Sequence, residues 1–143
     1  MGSVPFHYVD LRAFAYATED DERVERALRR FLPEDAEVER AETEGHAGDR
    51  ILVLSTRVEN ADDVRHVLSV LANADAFGTL ESELDERVTD NCELYVRLDK
   101  QAAYNGAIAL GEGITLRAKV EAYPARKEAA VENAAEALEE YEA

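Results

Sequence analysis

The stretch from Phe6 to Ala17, FHYVDLRAFAYA, alternates between two kinds of side chain. Successive residues of a β-strand point to opposite faces of a sheet, so each kind would lie on a face of its own. One face would carry the aliphatic residues Val9, Leu11, Ala13 and Ala15. The other would carry the aromatic and charged residues Phe6, Tyr8, Asp10, Arg12, Phe14 and Tyr16. The stretch therefore predicts a strand with one face in an apolar core and one mixed face outside it.

Further strands are predicted where the same alternation recurs between turn residues. They cover residues 36–43, 51–59, 93–98, 107–110 and 114–122. The turn at residues 45–49 predicts a hairpin between the first two of these. Gly111-Glu112-Gly113 predicts a second hairpin between the last two, because glycine is typical of tight hairpin turns.

Helical periodicity fills the intervals between the strands. The predicted helix starts are a Thr18 cap, an Asn60 cap, Ala74, an Asp99 cap and Pro124. The first helix would end at Pro33, the third at Val88 and the fourth at Tyr104. The second helix would carry Val64, Val67, Leu68 and Leu71 on one face. The last helix would pack through a thin apolar stripe of Val131, Ala135 and Leu138.

Interspersed helices and hairpins favour an α+β fold, a mostly antiparallel sheet with helices packed on one face. The chain has 143 residues, so residues 1–143 are predicted to form a single α+β domain. The expected core is Val9, Leu11, Leu28, Phe31, Leu52, Leu54, Val67, Leu71, Leu94, Val96, Leu116 and Val120. The opposite face of the sheet would then be open or covered by a partner.

The charge balance indicates the salt concentration in which the protein works. Acidic residues number 32 against 16 basic ones, which gives a formal net charge of −16. A small domain usually carries a net charge of about 2–8 in magnitude. Molar salt shortens the Debye length to about 3 Å and would screen the excess. We interpret the surface as that of a halophilic protein.

The cellular compartment follows from what the sequence lacks. Cys92 is the single cysteine, so neither a disulfide framework nor a thiolate metal cluster is expected. The first residues do not resemble a signal peptide, and no apolar run approaches the roughly 20 residues of a membrane span. We expect a soluble cytoplasmic protein without a membrane partner.

Strand alternation assigns a set of aromatic and basic residues to the open face of the sheet. The set is Tyr8, Arg12, Phe14, Tyr16, Arg57, Tyr95, Arg97, Arg117, Lys119 and Tyr123. Single-stranded nucleic acid requires cations for its phosphates and aromatic rings for its bases. Aromatic residues and arginine are also enriched at protein interfaces. The pattern leaves several interpretations open: an RNA platform, a homodimer interface, an amphipathic sheet surface with no ligand, or a face covered by the third helix.

No pattern of reactive residues indicates an enzyme. Phosphate-binding loops, catalytic serine motifs and zinc-protease motifs are absent from the sequence. His7, His46 and His66 have no metal-ligand spacing. The compact polar run at residues 97–104 is better explained by Asp99 as a helix cap. We therefore predict no catalytic residue, no cofactor and no metal site.

That run also carries a resemblance to a known family. Residues 95–106, YVRLDKQAAYNG, together with VEAYP at 120–124 and DLRAFA at 10–15, resemble a small archaeal family of predicted RNA-binding or exosome-associated proteins. The resemblance covers nearly the whole chain. It implies a fold similar to that of the ribosomal protein that binds 5S ribosomal RNA. It also implies RNA, and exosome or other RNA-processing proteins, as partners.

The sequence as a whole predicts a non-catalytic RNA-binding protein, an accessory of the archaeal exosome or of ribosomal RNA handling. Single-stranded RNA is the expected ligand. The candidate contact residues are Tyr8, Arg12, Tyr16, Tyr95, Arg97, Lys100, Arg117 and Lys119. The alternative is a protein interaction module that forms a homodimer through the open face and has no RNA role.

Overall fold

The computed structural model describes residues 5–72 and 77–140 of the chain. Within this part, the strands are β1 (Phe6–Tyr16), β2 (Glu39–Glu44), β3 (Arg50–Val58), β4 (Glu93–Asp99) and β5 (Gly113–Val120). The helices are α1 (Asp21–Arg29), α2 (Ala61–Ala72), α3 (Phe77–Ser82), α4 (Leu84–Arg87), α5 (Lys100–Tyr104) and α6 (Lys127–Glu140). The predicted α+β class is confirmed.

The strands form one antiparallel sheet in the order β2-β3-β1-β5-β4. Strand β1 is central: its Ala13 pairs with Leu54 of β3 on one side and with Ile114 of β5 on the other. Side chains alternate along the strands between a buried face under the helices and an exposed face. The predicted antiparallel sheet with helices on one face is confirmed.

The core lies between the sheet and the helices. All twelve residues predicted for the core are buried in one contiguous cluster. Leu28 of α1 and Leu71 of α2 contribute to it from the helical layer, and Leu54 and Leu116 from the sheet. Full burial of one such leucine contributes roughly 1.5–3 kcal/mol. Burial of these side chains is therefore what holds the two layers together.

The N-terminal end of β1 departs from the predicted alternation. Phe6 was expected on the outer face, but its side chain is buried, whereas His7 is exposed and Tyr8 is half-buried. The pairing with β5 shifts register between Phe6 and Tyr8. A β-bulge adds one residue to the strand and thereby reverses the faces on one side of it. The prediction for Phe6 was wrong because a bulge leaves no signature in the alternation itself.

The second predicted hairpin is also wrong. Residues 107–110 form no strand, and β5 pairs instead with β4, to which residues 100–112 connect it. The two glycines serve close approach rather than a hairpin turn. A Cβ atom on Gly111 would lie 2.7 Å from the Cβ of Asp99, and one on Gly113 would lie 2.5 Å from the Cβ of Lys100. Gly113 also has a φ of 112°, which disfavours other residues.

Two of the three predicted N-terminal caps are confirmed. The Asn60 side chain accepts a hydrogen bond from the Asp62 N–H at 2.8 Å, and the Asp99 side chain accepts one from the Ala102 N–H at 3.1 Å. Helix α1, however, is capped by Asp20, which accepts from the Glu22 N–H, and not by Thr18. Thr18 lies in the turn before the helix, where the Glu19 N–H donates to Tyr16 O.

The third and fifth predicted helices differ in extent from those observed. The helix predicted at 74–88 consists of α3 and α4, and its residues 74–76 lie outside the described part. Helix α6 starts at Lys127 instead of Pro124, and its buried residues are Ala130, Ala134, Ala137 and Leu138. Small alanine side chains let this helix approach its neighbours closely. In the described residues, no helix is long and apolar enough to cross a membrane.

Candidate functional site

The exposed face of the sheet, called the outer face below, brings together most of the predicted contact residues. Its side chains are Tyr8, Asp10, Arg12, Phe14 and Tyr16 of β1, Ser55 and Arg57 of β3, Tyr95 and Arg97 of β4, and Thr115, Arg117 and Lys119 of β5. A shallow depression of about 800 Å³ lies over its centre, with Arg12, Arg57, Tyr95 and Arg117 among the lining residues. Tyr123 is 97% exposed, but it follows the end of β5 and is not on this face.

One row of the outer face is an ion-pair network around Asp10. The register places Asp10 between Arg57 on β3 and Arg117 on β5. Arg57 donates from Nε and Nη2 to the two carboxylate oxygens at 2.7 and 2.9 Å, and Arg117 donates from Nη2 at 2.8 Å. Arg117 Nε also lies 3.5 Å from Glu93 Oε2. The fold itself thus supplies acceptors for both guanidinium groups.

This network sets the protonation of Asp10. Burial works to raise the pKa of the carboxyl group, but the hydrogen bonds from Arg57 and Arg117 outweigh it. The pKa of Asp10 is therefore lowered from its ordinary 3.8. Asp10 stays ionised and keeps both arginines oriented across the sheet.

Two further predicted residues are engaged by neighbouring groups. The guanidinium carbon of Arg57 lies 3.9 Å from the ring centroid of Tyr8, so it covers one face of that ring. Lys119 Nζ donates to the backbone oxygen of Asn91. Tyr8 and Lys119 remain half-exposed, but each is partly committed to the protein.

The next row contains two arginines that have no such acceptor. The register places Arg12 and Arg97 on either side of Thr115, one on β1 and the other on β4. Both arginines are exposed. Among the described residues, neither forms an ion pair or a side-chain hydrogen bond. They are the cations of the outer face that are available to a ligand.

Aromatic rings flank this row. Phe14 and Tyr16 lie side by side on β1, with ring centroids 6.4 Å apart and planes tilted by 38°. Tyr95 lies on β4, two residues before Arg97. All three rings are more than a third exposed, with Tyr16 at 49%. The outer face therefore presents rings in the two rows next to the unpaired arginine row, with Phe14 on one side of it and Tyr95 on the other.

The depression has an acidic side. Glu37, Glu39 and Glu59 line it toward β2 and β3. Every residue of β2 is exposed, and three of its six residues are glutamates. Charged residues on an edge strand discourage pairing with another sheet. The basic and aromatic residues of the outer face thus lie on β1, β5 and β4, and on β3 at Arg57.

Lys100 is the one predicted contact residue that does not lie on the outer face. It is only 7% exposed, and its Nζ donates to Phe14 O at 3.0 Å and to Glu19 Oε1 at 2.9 Å. The Asp99 cap makes Lys100 the first residue of α5 and directs its side chain inward. The prediction of Lys100 as an RNA contact is therefore corrected: its ammonium group is occupied within the fold.

Sequence reasoning did not find the partners of Lys100. Glu19 accepts from the Tyr16 N–H at 3.1 Å and from the Tyr104 hydroxyl at 2.8 Å, in addition to Lys100. Burial opposes ionisation of Glu19, but these hydrogen bonds prevail and lower its pKa from the ordinary 4.5. Burial and the Glu19 carboxylate raise the pKa of Tyr104 above its usual 10.0. We call Glu19, Lys100 and Tyr104 the Lys100 cluster.

The geometry of this face can be set beside known proteins. The profile of a family described as RNA binding matches residues 8–120, which contain the whole outer face. The chain belongs to this family. It is 37% identical to a Pyrococcus abyssi protein named as an RNA-binding protein, over 96% of this chain and 97% of that one.

Solved structures of relatives share the fold of this RNA-binding family member. A DUF54 protein from Methanothermobacter thermautotrophicus is 38% identical, with a TM-score of 0.81 over 93% of this chain and 98% of that one. A DUF54 protein from Sulfolobus solfataricus is 20% identical, with a TM-score of 0.68 over 89% and 96% of the two chains. At that identity the second likeness concerns the fold alone.

Proposed function

We propose that this protein binds single-stranded RNA on its outer face, without catalysis. The observation that carries the proposal is the row of unpaired arginines, Arg12 and Arg97, between exposed aromatic rings on the sheet face that none of the described helices covers. Membership of a family described as RNA binding supports it. The similar Pyrococcus abyssi protein is named as an RNA-binding protein, which points the same way.

The aromatic residues would bind bases by stacking. Tyr95, Tyr16 and Phe14 each expose part of a ring on the outer face. Stacking on an aromatic side chain contributes roughly 1–3 kcal/mol per base and depends little on the base identity. Tyr8 would contribute less, because Arg57 already covers one face of its ring.

The basic residues of the outer face would contribute unequally to RNA affinity. No carboxylate in the described part of the chain accepts from Arg12 or Arg97, so both can direct their N–H groups to phosphate oxygens. Arg117 and Lys119 already donate to Asp10 and to Asn91 O, so their contribution should be smaller. The glutamates of the acidic side would repel the backbone and direct it over β1, β5 and β4.

A single strand is the form of RNA that suits this surface. The bases of a duplex are stacked inside it and cannot reach the rings of a sheet, whereas unpaired bases can turn outward and stack. Simple charge attraction weakens steeply in high salt. Binding in molar salt would therefore depend on stacking and on oriented arginine hydrogen bonds. A role beside the exosome or in ribosomal RNA handling stays a prediction, which a pull-down at native salt would test.

The test is a titration of fluorescent single-stranded RNA with the wild type and variants at two KCl concentrations. We expect Tyr95→Ala to lose about 1–3 kcal/mol of binding free energy at both concentrations. Replacing both arginines of this row, Arg12→Ala together with Arg97→Ala, should reduce affinity most at the lower KCl concentration and flatten the salt dependence. Arg117→Ala should have a smaller effect on affinity. Tyr123→Ala is the matched control, since that tyrosine is exposed but lies off the sheet.

The proposal is wrong if the wild type shows no saturable binding to single-stranded RNA at either salt concentration. It is also wrong if duplex RNA of equal length binds as tightly. Measurement of the solution mass in parallel separates the alternative, because a dimer formed through the outer face would be weakened by Tyr95→Ala in the absence of RNA.

A further inference from the structure

We propose that Arg12, Thr115 and Arg97 together form a site for one phosphate of the bound strand. The inference rests on the proposed RNA binding and adds where the backbone is held. In the competing arrangement, Arg12 and Arg97 would each contact a separate phosphate.

The pairing register defines the site. Thr115 of β5 is the direct partner of Arg12 on β1 and of Arg97 on β4. Neighbouring strands lie about 4.8 Å apart, so the Cα atoms of the two arginines are separated by roughly 10 Å. All three side chains project from the same face. Two arginine side chains at this separation can lean toward each other and meet a single phosphate above Thr115.

The surrounding charges favour an anion at this position. The protein carries 32 acidic residues, yet none of those described pairs with Arg12 or Arg97. One row away, by contrast, Arg57 and Arg117 share Asp10. The residue between Arg12 and Arg97 is a threonine, whose hydroxyl can donate to a phosphate without repelling it. Two guanidinium groups flank a neutral hydroxyl and form no ion pair with the described residues, and a phosphate would provide their partner.

The rings beside the arginines fix the direction of the strand. Phe14 is two residues from Arg12 on β1, and Tyr95 is two residues from Arg97 on β4. Across the sheet, β1 and β4 are two strand spacings of about 4.8 Å apart. Along the strands, Phe14 and Tyr95 are offset by four residues of about 3.3 Å each, so their Cα atoms lie roughly 16 Å apart. At a stacked rise of about 3.4 Å, this distance corresponds to about five nucleotides. The backbone would thus cross β1, β5 and β4 above the arginine row.

The experiment measures the salt dependence of oligouridylate binding for Arg12→Gln, Arg97→Gln and the double variant. For a single strand, the slope of log K against log salt changes by about 0.7 for each phosphate neutralised. If one phosphate is shared, each single variant keeps the slope nearly unchanged, and the double variant lowers it by about 0.7. Each single variant should bind about tenfold more weakly, and the double variant should lose more affinity than the product of the two single losses, because only the double variant leaves the phosphate without a cation.

Arg126→Gln is the matched control, because Arg126 is exposed and lies before α6 rather than on the sheet. Melting temperatures should agree among all four variants, since neither outer-face arginine has a partner to lose. The inference is overturned if each single variant lowers the slope by about 0.7 and the losses add, which would mean separate phosphates. Absence of wild-type binding instead contradicts the proposed function itself.

Oligouridylates of two to eight nucleotides give a second readout. We expect affinity to rise with length up to about five nucleotides and to rise little thereafter. The rise between two and five nucleotides should disappear in Phe14→Ala, which removes one end of the path. An affinity that does not change from two nucleotides upward would contradict the path across the three strands.

Discussion

Arg97 and Lys100 are three residues apart in the sequence, but they belong to two different kinds of region. Arg97 lies in the row with Arg12 on the outer face, exposed and without an ion-pair partner among the described residues. Lys100 lies in the Lys100 cluster beneath the end of β1, where Glu19 Oε1 and Phe14 O accept its hydrogen bonds. A basic residue is available to a ligand only where the fold has not already provided its acceptor.

The Asp10 network is intermediate between these two regions. Arg57 and Arg117 lie on the outer face like Arg97, yet they are paired like Lys100. Exposed ion pairs contribute only about 0–1 kcal/mol to stability, whereas breaking a buried pair costs about 3–5 kcal/mol. The three groups should therefore respond differently to salt, to substitution and to pH.

Salt is expected to have the largest effect. With a net charge of −16, lowering KCl from molar to roughly 0.1 M lengthens the Debye length from about 3 to about 10 Å. Repulsion among exposed carboxylates should then lower the melting temperature by more than any single substitution below. The measurement is thermal unfolding followed by circular dichroism across this range. An unchanged melting temperature would show that the acidic surface is not an adaptation to salt.

The second prediction breaks the Lys100 cluster. Lys100→Met leaves the Glu19 carboxylate with no cation and removes the donor to Phe14 O, so we expect a loss of about 3 kcal/mol in the free energy of unfolding. Arg97→Met is the control and should change stability by less than about 0.5 kcal/mol. Denaturant unfolding in high KCl measures both. Equal losses would remove the distinction between the two regions.

The third prediction concerns pH. The pKa of Glu19 in the folded protein is lowered from its ordinary 4.5. Ionised Glu19 therefore contributes fully to stability above pH 4.5, and this contribution is lost as the pH falls from there through the lower pKa of the folded protein. Glu19→Gln should therefore reduce stability at pH 6 and lose less than the wild type on acidification to pH 3. Glu34→Gln, at an exposed position, serves as the control. A wild type and a Glu19 variant with parallel pH profiles would contradict the coupling.

The smallest effect on stability is expected at Asp10. Asp10→Asn removes a half-buried carboxylate whose arginine partners are in contact with solvent, so the free energy of unfolding should fall by no more than about 1 kcal/mol. The same change frees Arg57 and Arg117 and makes the outer face more positive, so RNA affinity at low salt should increase. Glu132→Gln changes the net charge equally on α6 and is the control. An equal gain in affinity for both variants would show that only the net charge matters.

Strand alternation in the sequence was enough to predict which strand residues enter the core, except for Phe6 at the bulge. Alternation at period two placed Leu54, Val96 and Leu116 on the buried face, because a strand has no other way to separate apolar from polar side chains. It also predicted the caps at Asn60 and Asp99, since capping depends on residues only two or three positions away. These features depend on residues close together in the chain, so a short segment of sequence is enough to predict them.

Which charged side chains form ion pairs depends on the tertiary structure and could not be predicted from the sequence. Asp10 meets Arg57 and Arg117 across separations of 47 and 107 residues, and Lys100 meets Glu19 across 81. The same holds for Gly111 and Gly113, whose role follows from the close approach of Asp99 and Lys100. Such contacts depend on strand order and register, which bring together residues that no local pattern connects. Strand alternation predicted that Arg12 and Arg97 share a face. Only the folded sheet shows that no described residue on that face forms an ion pair with them.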